Sequence, residues 1–164
     1  MPAIELTTKI RAPVERVFDL SRSVDLHVAS TAKTRECAVG GVTSGLMSLG
    51  QEVTWRAKHF GLWQHLTSRI TEFDRPVHFR DSMVHGIFRR FDHDHFFAST
   101  SAGTMMRDVF DFESPLRVFG RIADRLFLVR YMTQLLVTRN SLIKTVAEGD
   151  AWQNYINATM QDSS

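Results

Sequence analysis

The chain opens on a strict alternation of apolar and polar positions. Ile4, Leu6, Thr8 and Ile10 share one face, and Glu5, Thr7, Lys9 and Arg11 take the other. That is the period-two pattern of a half-buried strand. Pro13 follows at a position suited to a first helical turn, with Val14, Val17, Phe18 and Leu20 at helical spacing behind it. Ser23 is placed to cap a second short helix through Asp25, Leu26 and His27.

After Thr34 the pattern changes. Runs rich in Val, Thr, Phe and Trp predict strands over 35–39, 51–60, 63–73, 78–85, 88–98 and 104–112. Between them stand Gly40-Gly41 with Gly45 and Gly50, then Gly61, Asp74-Arg75-Pro76, Gly86 and Ser101-Ala102-Gly103. Gaps this short force antiparallel neighbours, because a parallel return needs a crossover of roughly a dozen residues. The six runs therefore form a meander.

Ser114-Pro115 is a helix-start pattern, a capping serine before a proline in the first turn. From there Phe119, Ile122, Leu126, Val129, Thr133, Leu136, Asn140, Ile143 and Ala147 recur at steps of three and four. They predict one long helix that ends near Gly149-Asp150. A single long helix must bury its stripe, and the sheet is the one large partner available. The expected fold is α+β: a seven-stranded curved antiparallel sheet around a long C-terminal helix, with two short helices after the first strand. Residues 1–150 form one domain on this reading, and 151–164 an extension whose polar end, 161–164, frays.

Composition narrows the function classes. The 164 residues suit one domain, and Cys37 is the single cysteine, which excludes an internal disulfide and suits a reducing compartment. The N-terminus lacks a basic region followed by an apolar run, and no stretch approaches the length of a membrane span. A cytoplasmic location without stable membrane insertion is expected. The formal charge is +2, and no run of basic residues exceeds Arg89-Arg90, so nucleic acid is not an expected partner. Twelve phenylalanines and seven methionines against two tyrosines describe large apolar walls with few polar handles, either an ordinary core or a core with room left in it.

The element order, with Ile10-Arg11-Ala12-Pro13-Val14-Glu15-Arg16-Val17-Phe18-Asp19 at its front, resembles the START-type helix-grip superfamily over about residues 3 to 148. Several inner segments look like its polyketide cyclase/dehydrase-like bacterial subgroup: Val53-Thr54-Trp55, His59-Phe60-Gly61, Phe79-Arg80-Asp81-Ser82-Met83, His93-Asp94-His95-Phe96-Phe97 and Gly103-Thr104-Met105-Met106-Arg107-Asp108. The resemblance implies a cavity between sheet and helix, open at one end. It implies no particular reaction, since function does not travel with a fold.

The histidines carry the sharpest chemical signal. His93 and His95 lie two apart on a predicted strand and so share a face; His59 and Asp81 lie on neighbouring strands and Asp108 on the last. His59, Asp81, His95 and Asp108 are the candidate acid–base set for a cyclisation and dehydration, which needs one group to take a proton and another to give one. A His-x-His pair with a third ligand can also hold zinc or iron. The acidic neighbours Asp92 and Asp94 count against that, and no metal or other cofactor is expected. The bland alternative places these histidines on a solvated face or at a cavity mouth, bonded to Asp92, Asp94 or Asp108.

A third reading is plain binding of an apolar small molecule such as a lipid, polyketide or isoprenoid. Trp55, Met83, Phe97, Met106 and Phe110 on the strands, with Leu126, Val129 and Leu136 on the helix, are the expected apolar lining. Thr133 and Asn140 interrupt the helical stripe and are expected either to face the cavity or to be satisfied by a strand. Arg56 is the candidate for neutralising a carboxylate on the ligand. The segment Gly40 to Gly45 lacks the pattern of a phosphate loop and reads as a flexible loop or lid, with Leu46-Met47 covering the entrance or touching a partner. A homodimer, or an interaction module with a vestigial pocket, stays open.

Overall fold

The computed structural model describes residues 3–113 and 123–156, the side chains of 123–125 excepted. Strand β1 (Ala3–Ile10) leads into two short helices, α1 (Val14–Ser21) and α2 (Val24–Ser30). Pro13 stands one residue before its expected place, as the N-cap of α1 with an extended ψ of 146°. Ser23 caps α2 and accepts from the Leu26 amide at 3.3 Å. The strand expected from residue 35 begins two residues later, because Arg35 takes a left-handed φ of 52° at the end of a 3-10 turn over Ala32–Thr34.

The meander follows as β2 (Cys37–Gly41), β3 (Glu52–His59), β4 (Leu62–Asp74), β5 (His78–His85), β6 (Arg90–Thr100) and β7 (Gly103–Glu113). All pairings are antiparallel, and the order across the sheet is β1-β7-β6-β5-β4-β3-β2. The first and second strands in sequence thus hold opposite edges. Helix α3 (Ala123–Glu148) crosses the concave face, and the short α4 (Gln153–Ile156) follows it. The expected helix start at Ser114-Pro115, with Phe119 and Ile122, lies outside the described residues, as does the tail 161–164.

The C-terminal half of α3 is seated by polar contacts at its end. Arg16 donates to the Ala147 carbonyl at 3.0 Å, Lys144 to the Lys9 carbonyl at 2.6 Å, and the Arg11 amide to Glu148 at 2.8 Å. Ile143, Val146 and Ala147 pack into a core centred on Phe18, whose ring meets Phe73, Phe79 and Phe97 edge-on at 5.2–5.4 Å. A second cluster gathers Ile4, Phe88, Phe91, Phe110, Phe112 and Leu136. Trp152 lies under the Arg16 guanidinium at 4.3 Å, so the start of the extension is docked on α1.

Of the expected helical stripe, Leu126 is out of place, Val129 and Thr133 are half-buried, and full burial begins at Leu136. Leu126 is 65% exposed and faces away from the sheet. A second stripe one position round the helix, Leu128, Met132, Leu135 and Arg139, turns toward the space beneath. A curled sheet covers a wider arc of a helix than a flat one, so two neighbouring stripes are covered instead of one.

Candidate functional site

Between α3 and the sheet lies a cavity of about 200 Å³. A water needs only about 10–15 Å³ of such space, so this one has room for more than a single water. Its walls come from both apolar clusters: Val53, Trp55 and Phe79 from one, Phe88, Phe91 and Phe110 from the other. Leu136 closes it from the helix. Phe60, 59% exposed at the tip of the β3–β4 hairpin, also lines it and packs on Tyr131 of α3 at 4.9 Å, so this end reaches the surface.

The polar residues of the cavity follow from strand register. On β6 the odd positions Phe91, His93, His95 and Phe97 point inward, and on β7 the even positions Met106, Asp108 and Phe110 do so. His95 pairs directly with Asp108, and His93 with Asp81 of β5. Three neighbouring strands thereby bring two imidazoles and two carboxylates to one spot. His95 Nδ1 donates to Asp108 Oδ1 at 2.8 Å and its Nε2 to Asp81 Oδ1 at 3.0 Å. His93 Nε2 donates to the same Asp108 oxygen at 3.2 Å, and its Nδ1 lies 3.9 Å from Asp81.

Helix α3 completes the cluster. Asn140 donates to Asp108 Oδ2 at 2.7 Å. Arg139 approaches Asp108 Oδ1 to 3.5 Å while donating to the Ser21 carbonyl at 2.7 Å. Asp108 is fully buried, and each of these polar neighbours offers it a proton. Burial pushes its carboxyl up, but the hydrogen bonds from His93 and His95 outweigh burial and hold it well below the usual carboxylate range. Asp81 is lowered in the same way, burial opposed chiefly by the His95 hydrogen bond. The two imidazoles are driven apart. Burial would lower both, and it prevails at His93, helped by the charge of His95. At His95 the bonds to Asp108 and Asp81 overcome burial and raise it.

Of the expected acid–base set, Asp81, His95 and Asp108 converge, and His59 does not join them. His59 sits toward the open end, its Nδ1 2.8 Å from the Tyr131 hydroxyl, with burial lowering its pKa against the opposing pull of Glu36. The place expected for His59 is taken by His93. His93 and His95 face neither solvent nor Asp92 and Asp94, and of the three expected carboxylate partners only Asp108 takes them. Those two carboxylates point out of the other face, where Asp94 takes Arg80 and His78, and Asp92 takes Ser82 and Arg90.

Among the expected lining residues, Trp55, Phe110 and Leu136 border the cavity. Phe97 and Met106 lie deeper, within the Phe18 core. Met83 and Val129 pack on the second cluster without bordering the space. Thr133 is satisfied by its own helix, donating to the Val129 carbonyl at 2.7 Å, and Asn140 by Asp108. Arg56 and Leu126 do not reach the cavity: Arg56 is on the outward face of β3, over the Trp63 ring at 4.3 Å.

The segment after β2 is tied down where a free loop was expected. Gly45 donates to Asp25 at 2.8 Å and accepts from the Val24 amide at 2.9 Å, and the Met47 amide donates to Arg22. Met47 is buried and forms part of the cavity wall. Gln64 is a feature the sequence did not announce: its side-chain oxygen is buried in the same wall without a hydrogen-bond partner among the described residues.

Solved structures share this architecture. The protein TTHA0849 from Thermus thermophilus superposes with a TM-score of 0.69 at 17% identity, covering 89% of this chain and 99% of its own. The major latex-like protein 151 of Panax ginseng gives 0.63 at 13% identity, covering 90% and 98%. Protein Ms6760 from Mycobacterium smegmatis gives 0.63 at 18% identity, covering 88% and 89%. At such identities the likeness is one of fold: the chain has the helix-grip fold. No protein-family model and no curated protein matches the sequence. No described helix is long and apolar enough to cross a membrane.

Proposed function

We propose that this protein binds one apolar small molecule, of lipid, polyketide or isoprenoid character, in the space between sheet and α3. The observation that carries the reading is the pairing of a greasy wall with a convergent cluster of polar groups at its deep end. Val53, Trp55, Phe88, Phe91 and Leu136 offer area without direction, while His93, His95 and Asp81 supply the direction. The ligand carries a polar group at that end. The unpartnered oxygen of Gln64 suits a donor elsewhere on it, since a buried acceptor left unmet costs about 1–3 kcal/mol. A chain with one free cysteine works in this role in the cytoplasm.

Titration with the dye anilinonaphthalene sulfonate and with a fatty acid, followed by quenching of Trp55, tests the reading. The expected result is saturable one-to-one binding that Leu136→Trp abolishes by filling the space. Binding unchanged by Leu136→Trp would place the ligand elsewhere and overturn it.

A second reading, acid–base catalysis of polyketide-type cyclisation and dehydration, is favoured by one specific feature. Asp81, His93, His95 and Asp108 lie within 3.2 Å hydrogen-bond reach along one chain of contacts at the wall of a largely apolar cavity. Turnover of a linear poly-β-ketone model substrate that survives His93→Gln would remove it.

A further inference from the structure

We propose that Asp81, His93 and His95 form a binding site for one divalent first-row transition-metal ion, of the zinc or iron(II) class, with Asp108 as the outer carboxylate that aims both imidazoles. This goes beyond the ligand-binding reading and does not depend on it.

Each of the three residues offers one donor atom, and these atoms lie within 4.8 Å of one another. Asp81 Oδ1 stands 3.0 Å from His95 Nε2 and 3.9 Å from His93 Nδ1. An ion about 2.0–2.2 Å from each donor requires them roughly 3–3.5 Å apart. Small side-chain movements of the Asp81 carboxylate and the His93 ring bring the three donors to that spacing. Asp81 is the freest of the three, its side chain 22% exposed.

The orientation of the rings is the stronger argument. Metal-bound histidines give their other nitrogen to a carboxylate or carbonyl, which sets the tautomer and sharpens the donor. Here His93 Nε2 and His95 Nδ1 both go to Asp108 Oδ1. The nitrogens left over, His93 Nδ1 and His95 Nε2, are the two that face Asp81. Asn140 holds Asp108 from behind, so the outer carboxylate is itself fixed. Phe79 stacks on His95 at 4.2 Å and Phe110 meets His93 edge-on at 5.3 Å, an apolar jacket of the kind that surrounds metal centres.

Two imidazoles with one carboxylate, open on the cavity side, is a donor set for zinc or iron(II); calcium and magnesium take all-oxygen shells. The acidic neighbours Asp92 and Asp94 do not bear on it, because they lie on the other face of the sheet. Among the described residues the fixed cation nearby is Arg139; its guanidinium is turned to Asp108 and the Ser21 carbonyl, and its charge still acts on Asp81 and His95, against which the two carboxylates stand. A metal ion on His95 Nε2 replaces the proton that now bridges to Asp81.

The test uses full-length protein without a histidine tag, stripped with chelator and titrated with Co²⁺. The expected result is a saturable set of visible ligand-field bands at one equivalent, displaced by one equivalent of Zn²⁺. His93→Gln and Asp81→Asn should each weaken binding at least about tenfold, while His59→Gln leaves it unchanged. Near-UV dichroism identifies any variant that has lost its packing, and Asp81→Asn, the least buried change, stands in if His93→Gln does so. Absence of saturable bands in the wild-type protein overturns the proposal, as does binding that survives both ligand changes. Dye titration on the same samples separates the two readings: dye bound without cobalt sinks the metal site alone, and cobalt bound without dye sinks the ligand account alone.

Discussion

The side-chain amide of Asn140, on α3, donates to Asp108 Oδ2, on β7, at 2.7 Å. This bond joins the helix to the sheet at the buried end of their interface. Asn140→Ala leaves a buried anionic oxygen short of a donor and is expected to destabilise the protein by about 1–3 kcal/mol. Asn140→Asp sets a second carboxylate against the first and costs more than the alanine change. Urea denaturation of the two variants beside the wild type checks the order.

Phe18 and Leu136 are both buried, yet their truncations should differ. Phe18 is surrounded by Phe73, Phe79 and Phe97, so Phe18→Ala opens a void in close-packed surroundings and should cost about 3–5 kcal/mol. Leu136 already borders empty space, and Leu136→Ala forfeits contacts on one side only. Its cost is expected at the low end for a leucine, about 2 kcal/mol. Equal losses in denaturant melts would mean that the space is not there.

Asp19 anchors a pH dependence separate from the cavity. Burial pushes its carboxyl up, but hydrogen bonds from Arg75 at 2.7 Å and Arg22 at 2.7 Å outweigh it and lower the pKa. A carboxylate whose folded pKa is depressed contributes stability above its unfolded value near 4, and loses it as pH falls through the lower folded value. Asp19→Asn should therefore flatten the acid limb of the stability curve below about pH 4 and leave its slope near neutrality unchanged. Thermal melts across that range read it directly.

Gly103 begins β7 with φ at +138°, and a β-carbon there would stand 2.3 Å from the Ile10 carbonyl oxygen and 2.9 Å from the Ala12 amide. Gly103→Ala meets both an unfavourable backbone region and immovable backbone atoms, and is expected to cost more than about 1 kcal/mol. Gly50, equally left-handed but with open space around it, should tolerate alanine better. Comparison of the two midpoints in urea is the measurement.

The strands were legible because alternation survives in them. Phe91, His93, His95 and Phe97 alternate as plainly as Ile4 to Ile10 do, and the same alternation carried the signal that His93 faces inward. The weight given to Asp92 and Asp94 as neighbours in sequence obscured it, although successive residues on a strand point to opposite faces. His59 also sits on a strand with an inward face, but how far along the cavity it falls depends on strand register, which composition does not encode. Arg139 was missed because it stands beside the stripe through Leu136 and Asn140, and only the curl of the sheet brings a second stripe under cover.

The order of strands carries a consequence for how the chain is made. β1 leaves the ribosome before the other six strands, but its neighbour in the sheet, among the described residues, is β7, about a hundred positions later. Until β7 emerges, the edge of Ile4, Leu6 and Ile10 has nothing to zip against, and the inward row of β6 lacks Asp108. Closure waits for the last strand, so the nascent protein gains its polar centre late, and pairing so distant in sequence makes for slow acquisition of the native state.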